Sequence, residues 1–215
     1  MRNEMQNPTY PYVLSYLGLR RCIGIIGITL PFVLIFGKWL FEGPGILPSI
    51  SAYYYSVMRD VFVGSLCAVG VFLLSYRFDL LSDIAGDVAG IAAIGAAFFP
   101  TPPAAGATQH QIMIGYAHSI FTALFFAALA FFALVLFPRL DPGKQLTEQK
   151  KARNAIYRAC GIVILVCIAL SIADLFLHSV QWLQALNPGF WLETLAILVF
   201  GLAWFIKGKT ILQDE

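Results

Sequence analysis

Charged residues are scarce in this sequence. Of its 215 residues, 12% are Asp, Glu, Lys or Arg, against roughly 25% in an ordinary soluble domain. Hydrophobic residues make up 59% of the chain, more than a soluble core of this size could keep away from water. A net charge of +2, without a basic patch interleaved with aromatic residues, argues against nucleic acid as a partner. The composition favours an integral membrane protein.

Cysteine and histidine are also few. The four cysteines, Cys22, Cys67, Cys160 and Cys167, all lie in apolar runs, so they predict buried small side chains and no disulfide framework. The three histidines form no HxxxH or HExxH pair of the kind that binds zinc. We therefore expect no cofactor. Zinc stays the lesser alternative, with candidate ligands His118, Asp174 and His178.

Six segments are long and apolar enough to cross a bilayer, which takes roughly 20 residues. They cover residues 21–42, 58–77, 81–100, 111–138, 156–178 and 188–207. Residues 141–154, DPGKQLTEQKKARN, form the one charged connection and are predicted to be a solvated loop. The sequence thus predicts an all-α, polytopic bundle of six transmembrane helices in a single domain, residues 1–215.

Basic residues divide unevenly between the two sides of such a bundle. With the N-terminus inside, two of the 14 Lys and Arg residues, Lys38 and Arg59, fall on the outer side. Cytoplasmic segments carry the excess of Lys and Arg, and an odd number of crossings would separate the basic 139–158 segment from the basic C-terminal tail. We expect a bacterial inner-membrane protein with both termini in the cytoplasm, surrounded by membrane lipids. A homo-oligomer is compatible with this topology.

Ionisable residues of the predicted spans collect near the outer side. Such residues are costly in hydrocarbon and often mark functional sites. The group comprises Lys38, Arg59, Asp60, His118, Asp174, His178 and Glu193, with Tyr53 at the same level. In the fifth segment, the spacing of Cys160, Cys167, Ser171, Asp174 and His178 predicts one helical face that points into the bundle.

This outer cluster supports three hypotheses. In the first, it forms an outward-facing pocket that binds or transports a lipid headgroup or a small anion, which Lys38 and Arg59 hold. In the second, the protein is a membrane-embedded hydrolase, with or without a metal, whose candidate catalytic residues are His118, Asp174, His178, Asp60 and Glu193. In the third, the stapling hypothesis, the protein is a structural or sensory subunit and the same side chains only tie helices together.

The inner side contains a second polar pair, Asp83 and Asp87, on one face of the third segment. Two carboxylates there could relay a proton or bind a cation as a pair. Alternatively, Asp83 reaches headgroup water and Asp87 bonds to a neighbouring helix. Gly86 and Gly90 form a small-xxx-small step, which favours close packing against another helix. The run Tyr53–Tyr55 and the tryptophans are typical of an interfacial aromatic belt.

Four stretches carry a family resemblance: SISAYYYSVMRDVFVGSLCAVGVFLLSY (49–76), DIAGDVAGIAAIGAAFFPT (83–101), YAHSIFTALFFAALAFFAL (116–134) and WLETLAILVFGLAWFIKG (191–208). In this order they resemble bacterial six-helix membrane proteins of the DUF998 type, which are similar to the Frag1/DRAM/Sfk1 group. The shared pattern is a Ser-Tyr loop before the second helix, a Phe-Pro end to the third and a His-Ser opening of the fourth.

The resemblance implies the six-helix fold and its topology, without a settled activity. It singles out Ser51, Tyr53, Arg59, Asp60, Phe99, Pro100, His118 and Glu193. A more distant likeness is to membrane metal hydrolases of the ceramidase and adiponectin-receptor type, which hold zinc with Ser, Asp and His ligands. This sequence lacks their paired histidines on a late helix and their seven spans.

Overall fold

A computed structural model of the chain describes residues 16–103, 105–140, 146–177 and 180–208. Over these residues the fold is all-α, as predicted, without a β-strand. The helices are α1 (Tyr16–Glu42), α2 (Arg59–Leu74), α3 (Leu80–Phe98), α4 (Gln109–Phe131), α5 (Glu148–Leu177), the single turn α6 (Gln181–Gln184) and α7 (Pro188–Lys207). A 3₁₀ turn, Ser51–Tyr55, precedes α2, and a π-helical turn, Phe132–Leu136, prolongs α4.

The six long helices close into a ring. Each packs against the next in chain order, and α7 returns to α1. Arg20 near the start of α1 bonds to the Tyr76 hydroxyl after α2, and Lys207 at the end of α7 bonds to the Phe137 carbonyl after α4. Lys150 near the start of α5 bonds to the same Phe137 carbonyl, and five residues, Tyr76 among them, separate the end of α2 from the start of α3. The starts of α1, α3 and α5 and the ends of α2, α4 and α7 therefore lie together. We call this the basic end and the opposite one, with the connection 43–58, the loop end.

Five of the long helices, α1, α3, α4, α5 and α7, are long and apolar enough to cross a membrane. The 16 residues of α2 rise about 24 Å at 1.5 Å each, less than the roughly 30 Å of a hydrocarbon core. Large apolar side chains cover the outside of the bundle, among them Leu40 (72% exposed) and Phe176 (80%). Such a surface suits lipid and would drive aggregation in water, so the structure is compatible with a multi-pass membrane protein.

The predicted boundaries fail where a helix continues beyond its apolar run. Helix α5 begins at Glu148 and α1 at Tyr16, whereas the apolar runs start at residues 156 and 21. Residues 148–154 of the predicted loop are therefore helical, because Glu, Gln, Lys, Ala and Arg are good helix formers whatever their polarity. Residues 141–145 lie outside the described part.

Glycines let neighbouring helices approach closely. A Cβ atom on Gly90 of α3 would lie 2.7 Å from the Gly70 carbonyl oxygen of α2, and one on Gly86 would lie 2.7 Å from the Leu73 carbonyl oxygen. The close packing predicted for this pair is confirmed. Between α1 and α7, a Cβ atom on Gly27 would meet the Cα atom of Gly201 at 2.9 Å, so a second pair of backbones is in direct contact.

The acidic residues of α3 bind the connection between α2 and α3. Asp87 pairs with Arg77 at 2.7 Å, and Asp83 accepts the backbone N–H of Phe78 at 2.9 Å. Asp79, the residue before α3, accepts the N–H groups of Leu81 and Ser82 and caps the helix. Both carboxylates of α3 thus bond to this connection, whereas the sequence predicts a partner for Asp87 on a neighbouring helix.

Candidate binding cavity

A cavity of about 280 Å³ lies between α4, α5 and α7 at the loop end of the ring. Its volume is just below the roughly 300 Å³ at which ligand pockets usually begin. The polar part of its wall consists of Ser51, Thr101, His118, Ser119, Thr122, Ser171, Asp174 and Glu193. The remainder is mostly apolar, with Phe126, Ile168 and Leu192 among the larger side chains. The cavity is therefore amphipathic: its eight polar residues share one wall with apolar side chains.

His118 of α4 is buried and uses both ring nitrogens. Its Nδ1 lies 3.1 Å from the Ala96 carbonyl oxygen and 2.7 Å from that of Phe99. Carbonyls only accept hydrogen bonds, so Nδ1 must carry the proton and donate to them. In the neutral ring Nε2 then accepts from the Thr122 hydroxyl, 3.2 Å away. The imidazole thus fastens the end of α3 to α4 and also lines the cavity.

The sequence after α3 explains why this histidine is needed. In a continuing helix, the carbonyls of Ala96 and Phe99 would accept from the N–H groups four residues later. Those residues are Pro100 and Pro103, and proline has no N–H. His118 supplies the missing donor. The Phe-Pro end of the third helix and the His-Ser opening of the fourth are therefore one structural unit.

Glu193 holds the loop end of α7 to the 3₁₀ turn. Its Oε2 accepts the backbone N–H of Ser51 at 3.0 Å and the Ser51 hydroxyl at 3.3 Å. A carboxyl group within a bundle is costly unless it is hydrogen-bonded, and Ser51 provides two donors at once. Both residues line the cavity. Tyr55 adds a second tie at this end, because its hydroxyl donates to the Thr101 carbonyl at 2.8 Å.

The predicted inward face of α5 is confirmed over the described residues. Cys160 and Cys167 are each 3% exposed, and Cys167, Ser171 and Asp174 line the cavity. Asp174 Oδ1 accepts from the Gln184 side-chain amide at 2.8 Å, which fixes α6 to the end of α5. His178, predicted to continue this face, lies outside the described residues.

The structure does not bring the other predicted site residues to the cavity. Lys38 donates to the Gly43 carbonyl at 3.3 Å and so closes α1. Arg59 is exposed at the start of α2, where its guanidinium lies 4.4 Å from the centre of the Tyr54 ring and donates to the Tyr54 hydroxyl. Asp60 is exposed beside it. Tyr53 is fully buried in a separate apolar cluster at the loop end, which also contains Leu34, Ile50, Met58, Phe62 and Phe190.

The charges of the wall differ from those expected for an anion site. Two carboxyl groups, those of Asp174 and Glu193, face the cavity, and none of the described lining residues is Lys or Arg. Such a wall attracts hydrogen-bond donors and cations and disfavours anions. Within the described ranges, no three His, Cys, Asp or Glu side chains are grouped so that they could hold a metal ion.

Sequence reasoning did not identify Thr101, Ser119 or Thr122 as wall residues. A signal was available for Thr122, which follows His118 by four positions and so lies on the same helical face. A second, smaller cavity of about 50 Å³ adjoins the first, and Ser51, His118, Thr122, Phe126 and Glu193 line both. These five residues form the partition between the two spaces.

Comparison with known proteins gives no assignment: no family model, curated protein or solved structure matches this chain. The resemblance to the DUF998-type proteins therefore stays a prediction.

Proposed function

We propose that this chain is a cytoplasmic-membrane protein that crosses the bilayer six times with both termini inside. Support comes from the charges at the two ends of the described ring. The loop end has two basic residues, Lys38 and Arg59, and the basic end has nine: Arg20, Arg21, Arg77, Arg139, Lys150, Lys151, Arg153, Arg158 and Lys207. Helix α2 is short, but it lies in the ring between α1 and α3, and local thinning of the bilayer accommodates a short span. The loop end then faces outward.

We further propose that the cavity binds the head of a membrane amphiphile that donates hydrogen bonds or carries a positive charge. The observation that carries this proposal is the wall itself, in which hydroxyls and two carboxyl groups meet without a basic side chain. The lipid-headgroup part of the first hypothesis is kept. The small-anion part is dropped, because Lys38 donates to the Gly43 carbonyl and Arg59 to the Tyr54 hydroxyl, both away from the cavity.

A matched pair of probes tests the preference for charge. Decylamine and decanoate have the same chain length and opposite charge, and their binding to the protein in neutral maltoside micelles is measured by calorimetry. We expect decylamine to bind and decanoate not to bind. Because a hydrogen bond to a charged group contributes about 1.5–3 kcal/mol, Glu193→Gln or Asp174→Asn should weaken decylamine at least about tenfold.

Glu42→Gln is the control variant for this experiment. Glu42 is a carboxylate at the same end of the ring, where it accepts the backbone N–H of Val57, but it does not line the cavity. Its replacement should leave decylamine binding unchanged. Equal binding of decanoate, or an equal loss in the Glu42 variant, would mean that the probes respond to the micelle or to the overall charge and would overturn the proposal.

The stapling hypothesis is the second candidate, and the hydrogen bonds favour it. His118, Asp174 and Glu193 each have a partner on another element of the bundle. A purely structural role predicts that Ser171→Phe, which fills the cavity, leaves decylamine binding unchanged. A recognition cavity predicts loss of binding in that variant and none in Leu170→Phe, since Leu170 is half-exposed and lies outside the wall.

A further inference from the structure

An opening between the loop-end halves of α4 and α5 leads from the cavity to the outside of the ring. Ser119 and Ala123 of α4 and Ile172 of α5 line the cavity and are also exposed, Ile172 by 53%. Helices α4 and α5 are neighbours in the ring. Each helix thus has side chains that belong both to the cavity wall and to the outer surface. Such side chains mark a gap between the two helices.

The same pair of helices is closed toward the basic end. A Cβ atom on Gly161 of α5 would lie 3.3 Å from the Ala133 side chain and closer still to Leu134, so no space is left there. Two hydrogen bonds join the segment after α4 to α5: Lys150 Nζ to the Phe137 carbonyl at 3.0 Å and Asn154 Nδ2 to the Pro138 carbonyl at 3.2 Å. The contact between α4 and α5 is therefore closed at the basic end and open at the loop end.

Aromatic side chains indicate the depth of the opening. Tyr116, Trp182 and Trp191 are 67%, 71% and 58% exposed and all lie near the loop end. Exposed Tyr and Trp side chains collect at the level of the lipid headgroups. Ala123 lies two turns further into α4 than Tyr116, so the gap faces the region where headgroups give way to acyl chains. A lipid of this leaflet reaches it without leaving the bilayer.

We infer that a phospholipid with an amine in its head enters the cavity sideways from the outer leaflet, between α4 and α5. The inference rests on the proposed function and adds the class of ligand and its route. The acidic wall at Asp174 and Glu193 suits the amine, and Ser171 on the route offers a hydroxyl to the phosphate. The hydroxyls of Ser119 and Thr122 already donate, to the Gly115 carbonyl and to His118. The acyl chains stay in the gap and in the surrounding lipid.

Photo-crosslinking of a lipid in nanodiscs tests the route. Phosphatidylethanolamine with a diazirine in one acyl chain is irradiated with the full-length protein, and the adducts are located by peptide mass spectrometry. We expect adducts concentrated on residues 119–123 and 168–172, and at least about threefold fewer with phosphatidylglycerol of the same tails. Adducts spread evenly over the lipid-facing helices, or equal labelling by both lipids, would overturn the inference.

Two variants narrow the gap from opposite sides, Ala123→Trp on α4 and Ile172→Trp on α5. Each should reduce the phosphatidylethanolamine adducts by about tenfold. Leu124→Trp is the matched control, because Leu124 is 47% exposed, adjoins Ala123 and does not line the cavity. Unfolding curves establish that all three variants are folded.

The two proposals fail in different ways. Absence of decylamine binding in the parent protein would overturn the proposed function. Decylamine binding with unchanged lipid adducts in both gap variants would overturn the sideways route alone.

Discussion

Replacing His118 by alanine should lower the free energy of unfolding by about 1.5 kcal/mol. The variant loses the Nδ1–H donor that serves the Ala96 and Phe99 carbonyls, and the prolines at 100 and 103 offer no substitute. A buried acceptor left without a partner costs about 1–3 kcal/mol. Hydrogen bonds between membrane helices average about 0.6 kcal/mol and reach about 1.7. The expected loss lies where these ranges meet.

Two further substitutions of His118 separate the effect of losing the hydrogen-bond donor from the effect of losing the volume of the ring. Asparagine places an amide N–H near the position of Nδ1, and glutamine places it near that of Nε2. We therefore expect His118→Asn to recover more than half of the lost stability and His118→Gln to resemble alanine. Reversible unfolding in mixed micelles of neutral detergent and dodecyl sulfate gives the free energies. Unchanged stability in His118→Ala, or asparagine no better than alanine, would refute the reasoning.

Three other predictions concern packing, pH and topology. Gly201→Ala should cost about 1–3 kcal/mol, because its Cβ atom would lie 2.7 Å from the Ile28 backbone nitrogen, whereas Gly64→Ala meets nothing within 4 Å and should not reduce the melting temperature. The Ser82 N–H donates to Asp79 and holds the pKa of that carboxyl below its usual value. The ionised carboxylate therefore contributes in full to the free energy of unfolding above the ordinary aspartate pKa, and this contribution is lost as pH falls through the lower pKa of the folded state. Unfolding free energies measured against pH should fall less in acid for Asp79→Asn, which keeps the cap, than for the parent protein, because the ion-paired Asp87 gives both proteins a further acid dependence. Asp79→Ala should lose about 1 kcal/mol. In a background without native cysteines, Thr147→Cys should react with a membrane-impermeant maleimide only in opened cells, and labelling of intact cells would contradict the topology.

The features predicted correctly from sequence are those set by one helix at a time. Apolar length identified the long helices, and the spacing of Cys160, Cys167, Ser171 and Asp174 identified the inward face of α5. The close contact at Gly90 also follows from local sequence, because a small residue permits backbone approach wherever a neighbour lies. Each of these depends on periodicity or residue size, which the chain displays directly.

The composition of the cavity depends on how helices are rotated relative to one another. Lys38, Arg59 and Asp60 lie at the predicted level but do not face the cavity, whereas Thr122 does. Depth follows from position along a span, but the direction of a side chain follows from the order of the ring and from the connections. The role of His118 shows the same limit, since it depends on carbonyls that two distant prolines leave without donors.

The central claim, that the cavity receives the amine head of a lipid, is tested most directly by an electron cryomicroscopy structure in nanodiscs that contain phosphatidylethanolamine. An antibody fragment bound to the chain supplies the mass needed for alignment. We predict elongated density that enters between α4 and α5 and ends within hydrogen-bonding distance of Glu193 or Asp174. Lipid density confined to the outer surface of the ring, with water or closed side chains in the cavity, would contradict the claim.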